Sequence, residues 1–335
     1  MPGKFISMSI NNIQVGVVGG AGYTGGELLR LLVNHPNVEI NFVYSSTRAG
    51  KAISETHPDL AGILDLPFSA DLNPEIDVLF LCMGHGNSAT FLHEHTVNDN
   101  TKIIDLSNDF RLAADRNFMG RSFVYGLTEV NKSQIKSALA IANPGCFATA
   151  IQLALVPLAS AGKLQNEVHV NAITGSTGAG AVPSATSHFS WRNNNISYYK
   201  PFTHQHLGEI GETLTPAQGS ASTLHFLPIR GNFTRGIFAT AYTAYEGNLE
   251  DAYALYESFY SDSPFTFVSK NSLALKQVVN TNRCLIHLHL HEGQLLITSI
   301  LDNLLKGASG QAVENMNLMF DWEQSTGLNL KSAAF

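Results

Sequence analysis

A chain of 335 residues, 44% of them apolar and with mean hydropathy near zero, is long enough for two globular domains of ordinary size. A net charge of only −7 without a Lys/Arg run argues against a nucleic-acid partner, and no apolar stretch reaches the roughly 20 residues that span a bilayer. Three cysteines, Cys82, Cys146 and Cys284, are an odd number in a chain this long, which predicts reduced thiols in the cytoplasm rather than a disulfide framework.

The amino end, MPGKFISMSINNIQ, lacks the long apolar core and cleavage site of a signal peptide. Ile13 to Val18 (IQVGVV) then reads as a short apolar strand, followed by GGAGYTG and by GELLRLLVNH with helical periodicity. Gly16, Gly19, Gly22 and Gly25 recur across this strand-to-helix turn as G-x-x-G-x-x-G, a relaxed form of the dinucleotide fingerprint. Glycines there let the backbone turn tightly against a pyrophosphate, and the helix N-terminus supplies N–H donors and positive potential. A second strand, Val38 to Ser46, runs into Tyr44-Ser45-Ser46-Thr47-Arg48 without the acid that holds a ribose 2′-hydroxyl in NAD-selective folds. Ser45, Ser46 and Arg48 suit a 2′-phosphate, so NADP(H) is the expected cofactor.

Strands at Asp77–Cys82 and Lys102–Ser107 follow, alternating with helical material, which predicts βαβ units and a parallel, doubly wound sheet. Next comes ANPGCFATAIQLALVPLA. Pro144 and Gly145 break the preceding strand and place Cys146 in the first turn of an apolar helix. Free N–H groups and the helix dipole favour a thiolate there and offer an oxyanion site. Asn143, beside them, is expected at the substrate. Cys82 and Cys284, at strand ends, read as structural thiols.

Beyond this helix the pattern changes. VHVNAIT (Val168–Thr174), LHFLPIR (Leu224–Arg230), GIFATAYTAY (Gly236–Tyr245) and LIHLHLHEGQLLITSIL are long β-branched strands interrupted by one clear helix, LEDAYALYESFYS, which predicts a mostly antiparallel α+β domain. In THQHLGEIGETL, His206 precedes Glu209 by three residues on one helical face, so the carboxylate can orient an imidazole base; His204 is the local competitor. His287, His289 and His291 alternate along one strand face, but no carboxylate or cysteine is spaced to complete a metal site, and none is expected. A nicotinamide cofactor with a nucleophilic cysteine points to redox chemistry through a thioester. Arg111 in DLSNDFR and Arg192 in SHFSWRNNN are the candidate anchors for an acyl phosphate.

Taken together, VGVVGGAGYTGGELLRLL, DLSNDFR, NPGCFATA, GSTGAG, HQHLGEI and DNLLKGASGQAVENMNLMF resemble, in order and spacing, the N-acetyl-gamma-glutamyl-phosphate reductase family, itself related in fold to aspartate-semialdehyde dehydrogenase. The resemblance implies a Rossmann-like NADP domain over residues 1–147, completed by a C-terminal helix over 305–335. It implies an α+β catalytic and oligomerisation domain over 148–304, assembled as a homodimer or homotetramer. The implied reaction, in arginine biosynthesis, is NADPH-dependent reduction of an N-acyl-L-glutamyl 5-phosphate to the 5-semialdehyde with release of phosphate. Cys146 matches the family nucleophile, and His206, in preference to His204, its acid/base residue. Gly22, Tyr23, Thr24 and Gly25 fall on the cofactor phosphates, Gly178, Gly180 and Asn303 near the nicotinamide, and Arg111 and Arg192 at the substrate. Phe147-Ala148 and Gly208 depart from the family's usual residues, and SHFSWRNNNISYYKPFTHQH resembles its N-succinyl branch, leaving both acyl groups open. The rival readings are an aspartate-semialdehyde dehydrogenase-type reductase and a cofactor-free Cys/His hydrolase or transferase.

Overall fold

A computed structural model describes residues 12–164 and 167–333, so most of the stretch read for a signal peptide lies outside the described residues. The first sheet is built from β1 (Ile13–Val18), β2 (Val38–Tyr44), β3 (Val78–Leu81), β4 (Lys102–Asp105), β5 (Asn117–Phe118), β6 (Arg121–Tyr125) and β7 (Ala140–Ala142). They lie in the order β2-β1-β3-β4-β7-β6-β5, parallel throughout except for the β5–β6 edge. Three helices, α1 (Tyr23–Leu32), α2 (Asn87–Glu94) and α3 (Thr128–Lys136), connect and cover it. Burial on both faces explains why β3 reads as an unbroken apolar run, VLFL.

Directly after β7 begins α4 (Cys146–Ser160), apolar all round and buried from Phe147 to Ala159. It is the central strut of the second core, packed under Ile237, Ala239, Ala241, Leu295 and Ile297. Pro157 lacks an N–H and would orphan the Leu153 carbonyl, but the Tyr260 hydroxyl donates to that oxygen at 2.5 Å.

The second sheet comprises β8 (Val168–Thr174), β9 (Ser197–Tyr198), β10 (Leu224–Arg230), β11 (Ile237–Ala244), β12 (Thr266–Ser269), β13 (Cys284–His291) and β14 (Gln294–Leu301). Its order is β12-β13-β14-β11-β8-β10-β9. The β8–β10 and β12–β13 pairs are parallel and the other four antiparallel, so the sheet is mostly antiparallel, as expected, with two parallel exceptions. The parallel pairs arise because long excursions separate their strands. The β8–β10 crossover carries α5 (Phe189–Arg192) and α6 (His206–Gln218), whereas α7 (Leu249–Phe259) lies between β11 and β12.

After β14 the chain makes one wide turn, Leu305–Ser309, and enters α8 (Gly310–Met319). The expected helix over 305–335 therefore ends at Met319. Ala312, Val313 and Met316 join the core of the first sheet beside Val15, Leu28 and Ile141. The polar residues of α8 are buried too, each partnered. Asn315 donates to the Gly126 carbonyl at 2.9 Å and to Asn143 Oδ1 at 3.1 Å. Lys306, fully buried, sits 2.8 Å from both Glu129 and Glu314, and Thr266 of β12 donates to Glu129 at 2.6 Å. That cluster bolts the second sheet's edge to the first domain. Arg235 makes a second bolt, reaching Glu27 of α1 at 2.9 Å and Asp302 at 3.0 Å.

Candidate active site

A cleft of about 650 Å³ opens at the seam between the two sheets, with Cys146 on its wall. Gly145 caps α4 with an extended backbone (φ −71°, ψ 150°), so the helix begins at the cysteine. The backbone N–H groups of Cys146 and Phe147 face the sulfur and, with Arg111, favour its anion, but burial outweighs them and pushes the thiol up to about 11. The resting group is a thiol rather than the thiolate expected from the helix start alone.

His206 opens α6, and its ring lies over Gly145. A Cβ at that glycine would stand 2.3 Å from Nε2. Burial first, then the neighbouring Arg111, His204, His85 and Lys200 charges, hold the imidazole well below its ordinary value, so it is neutral and able to accept a proton. His204, also buried, packs edge-on against Phe147, Tyr199 and Phe226, and its Nδ1 accepts the His206 backbone N–H at 3.2 Å. It is a packing and capping residue. Gly307 closes the opposite side of the cysteine, since a Cβ there would come within 2.8 Å of Cys146 Cβ.

Glu209 makes no hydrogen bond to the imidazole it was expected to orient. Its carboxylate accepts from Tyr125 Oη at 2.6 Å, from the Gly145 N–H at 3.1 Å and from Arg111 Nη1 at 3.2 Å, while His206 Nε2 stands 3.8 Å away. Gln152 of α4 in turn donates to Tyr125 Oη at 2.7 Å. This network locks the Gly145–Cys146 corner. Tyr125 and Gln152 carried no local sequence signal, because they meet Glu209 only through tertiary packing. The DLSNDFR motif resolves into separate duties. Asp105 accepts from Ser88 and Ser107 at 2.6 and 2.7 Å, Asp109 caps the backbone N–H groups at the start of α2, and Arg111 spans to Glu209.

The sequence-predicted cofactor residues fall in two groups. Gly22, Tyr23 and Thr24 line the cleft, as do Gly178, Gly180 and Asn303 across from them. Gly19 takes φ +78° and a Cβ there would strike the Cys82 carbonyl at 2.7 Å, while Gly25 abuts Gly20 at 2.6 Å; Gly22 alone of the three has room, its nearest neighbour being the Gly19 carbonyl oxygen at 3.9 Å. That is a cradle a side chain would fill, as a bound pyrophosphate requires. Gly16, by contrast, packs under the Phe42 ring. Asn303 accepts the Gly236 N–H at 2.7 Å and donates to Thr177 at 3.0 Å, which steadies the 176–180 turn. Ser45, Ser46 and Arg48 stand off the cleft at the end of β2, with Ser46 and Arg48 exposed. Parallel pairing sets that end beside the glycine turn, where the Gly19 N–H donates to the Tyr44 carbonyl at 3.2 Å.

The substrate candidates diverge. Arg111 and Asn143 line the cleft. Arg192 does not: its guanidinium is spent on the carbonyls of Thr186 and Arg230, at 3.1 and 2.9 Å, and on Ser197. Cys82, unlike buried Cys284, is partly exposed and lines the cleft.

On the outer face of the second sheet His287 bonds Tyr253 and Ser269, while His289 and His291 are exposed. Among the described residues one group of three potential metal ligands occurs, Glu167, His169 and His225, with ligand atoms within 4.8 Å of one another. His169 is sandwiched between His225 and Tyr242, with ring centroids at 4.8 and 5.0 Å and planes within 21° and 12° of parallel. Lone pairs of stacked rings lie in separate planes and do not converge on one ion, so the group reads as a cross-strand stack.

Comparison with known proteins matches residues 14–138 to the semialdehyde dehydrogenase NAD binding domain and residues 146–303 to the semialdehyde dehydrogenase dimerisation domain. The chain is 58% identical over 324 residues to an N-acetyl-gamma-glutamyl-phosphate reductase of Flavobacterium johnsoniae, covering 96% of this chain and all of that one. It is 56% identical, with the same coverage, to the protein of that name from Christiangramia forsetii. In fold it is similar to aspartate semialdehyde dehydrogenase II of Vibrio cholerae (TM-score 0.71, 14% identity, 93% of this chain and 99% of that one). It also resembles the Candida albicans aspartate semialdehyde dehydrogenase solved with NADP (TM-score 0.68, 14% identity, 92% and 99%).

Proposed function

The chain belongs to the N-acetyl-gamma-glutamyl-phosphate reductases of the semialdehyde dehydrogenase family, and on that premise we propose that it reduces an N-acyl-L-glutamyl 5-phosphate to the 5-semialdehyde and phosphate through a thioester on Cys146. The observation that carries the assignment is the single cleft that holds Cys146 at the start of α4 beside a neutral His206 and opposite the glycine turn.

The residues support a definite division of labour. Cys146 Sγ attacks the acyl carbon, its proton passes to the His206 imidazole, the carbon–oxygen bond to phosphate breaks, and inorganic phosphate leaves, taking one proton from solvent. The N–H groups of Cys146 and Phe147 stabilise the oxyanion of each tetrahedral intermediate. NADPH, when bound along Gly22–Thr24 and Gly178–Gly180, supplies the hydride that turns the thioester into an aldehyde. On collapse, the sulfur regains its proton from His206 and the aldehyde departs. Glu209 is a positioning residue, holding the Gly145 N–H and Arg111. A thiol and a neutral imidazole, each kept uncharged by burial, make proton transfer part of the attack rather than a prior equilibrium.

The dimerisation-domain match supports a homodimer or homotetramer through the second sheet, and a biosynthetic role supports a cytoplasmic enzyme. The direct test is the reverse reaction, NADP reduction with phosphate and either N-acetyl- or N-succinyl-glutamate 5-semialdehyde. Phosphate-dependent turnover with one of them identifies the acyl group together with the activity. Cys146→Ser should bind NADPH normally and lose turnover by about 10³-fold or more. Near-normal turnover in that variant would sink the thioester.

A further inference from the structure

The cleft wall carries three permanent cations, Arg111, Lys200 and Arg230, and no carboxylate lines it among the described residues. Two of the three have work to do within the protein. Arg111 gives its three nitrogens to the Asn143 and Leu106 carbonyls and to Glu209. Lys200 donates to Gln205 at 3.0 Å. Arg230 is different. It ends β10 with its guanidinium carbon 4.6 Å from the centre of the Tyr199 ring, and its Nε is buried without a hydrogen-bond partner. It makes no ion pair among the described residues. Its main chain is held too, because Arg192, itself buried, donates to the Arg230 carbonyl at 2.9 Å. A planar fork fixed by stacking and by its backbone, yet with unspent donors facing a cleft, is preorganised for a planar anion.

We propose that Arg230, seated on the Tyr199 ring, binds the α-carboxylate of the glutamyl substrate, and that Arg192 is its positioning residue rather than a substrate ligand. The assignment rests on the reductase reading above. The acyl phosphate must lie at Cys146, where the N–H groups at the start of α4 and Arg111 meet its charge. The substrate's other anion sits at the far end of the side chain from the reacting carbon and needs a separate cation. Arg230 is the lining cation that combines a planar fork stacked on an aromatic ring with a buried Nε that has no hydrogen-bond partner, whereas Lys200 lacks the fork and Arg111 is tied at all three nitrogens. The substrate class that follows is an acyl phosphate bearing a free, planar carboxylate remote from the reacting carbon.

The test crosses the protein with the substrate. NADP reduction is followed with phosphate and either the N-acyl-glutamate 5-semialdehyde or its α-carboxamide, in the wild type, Arg230→Gln and Arg230→Lys, with NADP affinity measured alongside. The wild type should prefer the carboxylate by about 100-fold in kcat/KM, mainly through KM. Arg230→Gln should bring that ratio to within about threefold of one by losing activity on the carboxylate only, and Arg230→Lys, which keeps the charge without the fork, should fall between. Arg192→Gln should lower the ratio in the same direction and less. Equal losses on both aldehydes with the preference intact would make Arg230 structural and overturn the assignment. A wild type that binds NADP yet oxidises neither aldehyde would overturn the reductase reading itself, an outcome distinct from the other two.

Discussion

Gly145→Ala is the sharpest probe of the catalytic corner. The backbone at Gly145 (φ −71°, ψ 150°) suits any residue, so the substitution adds no backbone strain. What it adds is a methyl 2.3 Å from His206 Nε2, 2.6 Å from Cε1 and 2.8 Å from Arg111 Nη1. Ordinary contact begins near 3.4 Å, so the imidazole must retreat by about 1 Å, and Arg111 by somewhat less. Neither has slack, because His206 is wedged against His204 and Phe147 and Arg111 is tied at three nitrogens. A displacement of about 1 Å at a reacting group costs on the order of 10²-fold in rate. The overpacking should also cost about 1–3 kcal/mol of stability. The assay is kcat in the reverse reaction, paired with NADPH binding, which should be unchanged because the glycine turn is untouched. Gly211→Ala, on the helix α6 that carries His206, is the control. No atom lies within 4 Å of its new methyl, so it should leave kcat alone and stabilise the protein by about 0.5–1 kcal/mol through helix propensity. A Gly145→Ala enzyme with kcat within about threefold of the wild type would refute the claim that His206 must sit where it does.

Other outcomes follow from the same geometry. Since His206 is held well below its ordinary 6.5, activity should be flat through neutral pH and fall only in acid as the imidazole protonates; in His206→Asn that acid limb should vanish and the rate should instead climb with pH toward the thiol value of about 11. An unaltered profile in the variant would move the base elsewhere. Lys306→Met should cost about 3–5 kcal/mol in urea unfolding, because two buried carboxylates lose their cation. In the wild type the Lys306 pKa is raised and the Glu129 pKa lowered. The cluster's contribution is therefore lost as pH rises above about 10.5 through the lysine or falls below about 4.5 through the glutamate. In the variant Glu129 loses the cation that lowers its pKa and takes up a proton more readily, so the deficit should shrink from pH 7 to pH 5, and a constant deficit would contradict the pairing. Arg48→Gln should weaken NADPH by roughly tenfold while leaving NADH near the wild-type value, and equal effects on both would remove the 2′-phosphate contact.

Much of the organisation was legible in the sequence because it is encoded over short spans. The glycine turn, the alternation in VHVNAIT and the Pro-Gly break before Cys146 are local statements about backbone freedom, strand period and helix start, and β8, β10 and the start of α4 lie where those signals put them. His206 and Glu209 were visible for the same reason, as neighbours one helical turn apart. The pairing sense of β8 with β10 was not, since it depends on how a crossover of some 50 residues packs rather than on either strand.

Only the tertiary structure decided the electrostatics. The helix start argues for a thiolate at Cys146, but burial sets the thiol's resting state, and Gly307, which packs against Cys146 Cβ, comes from a segment some 160 positions later in the chain. Glu209 finds Tyr125, 84 positions away, and Lys306 finds Glu129 far back in the chain. Composition marks Arg111, Arg192 and Arg230 alike as cations, and which of them has donors to spare depends on the carbonyls each meets in the fold. Short-range chemistry is written along the chain, whereas desolvation and the spending of hydrogen bonds are properties of the packed whole.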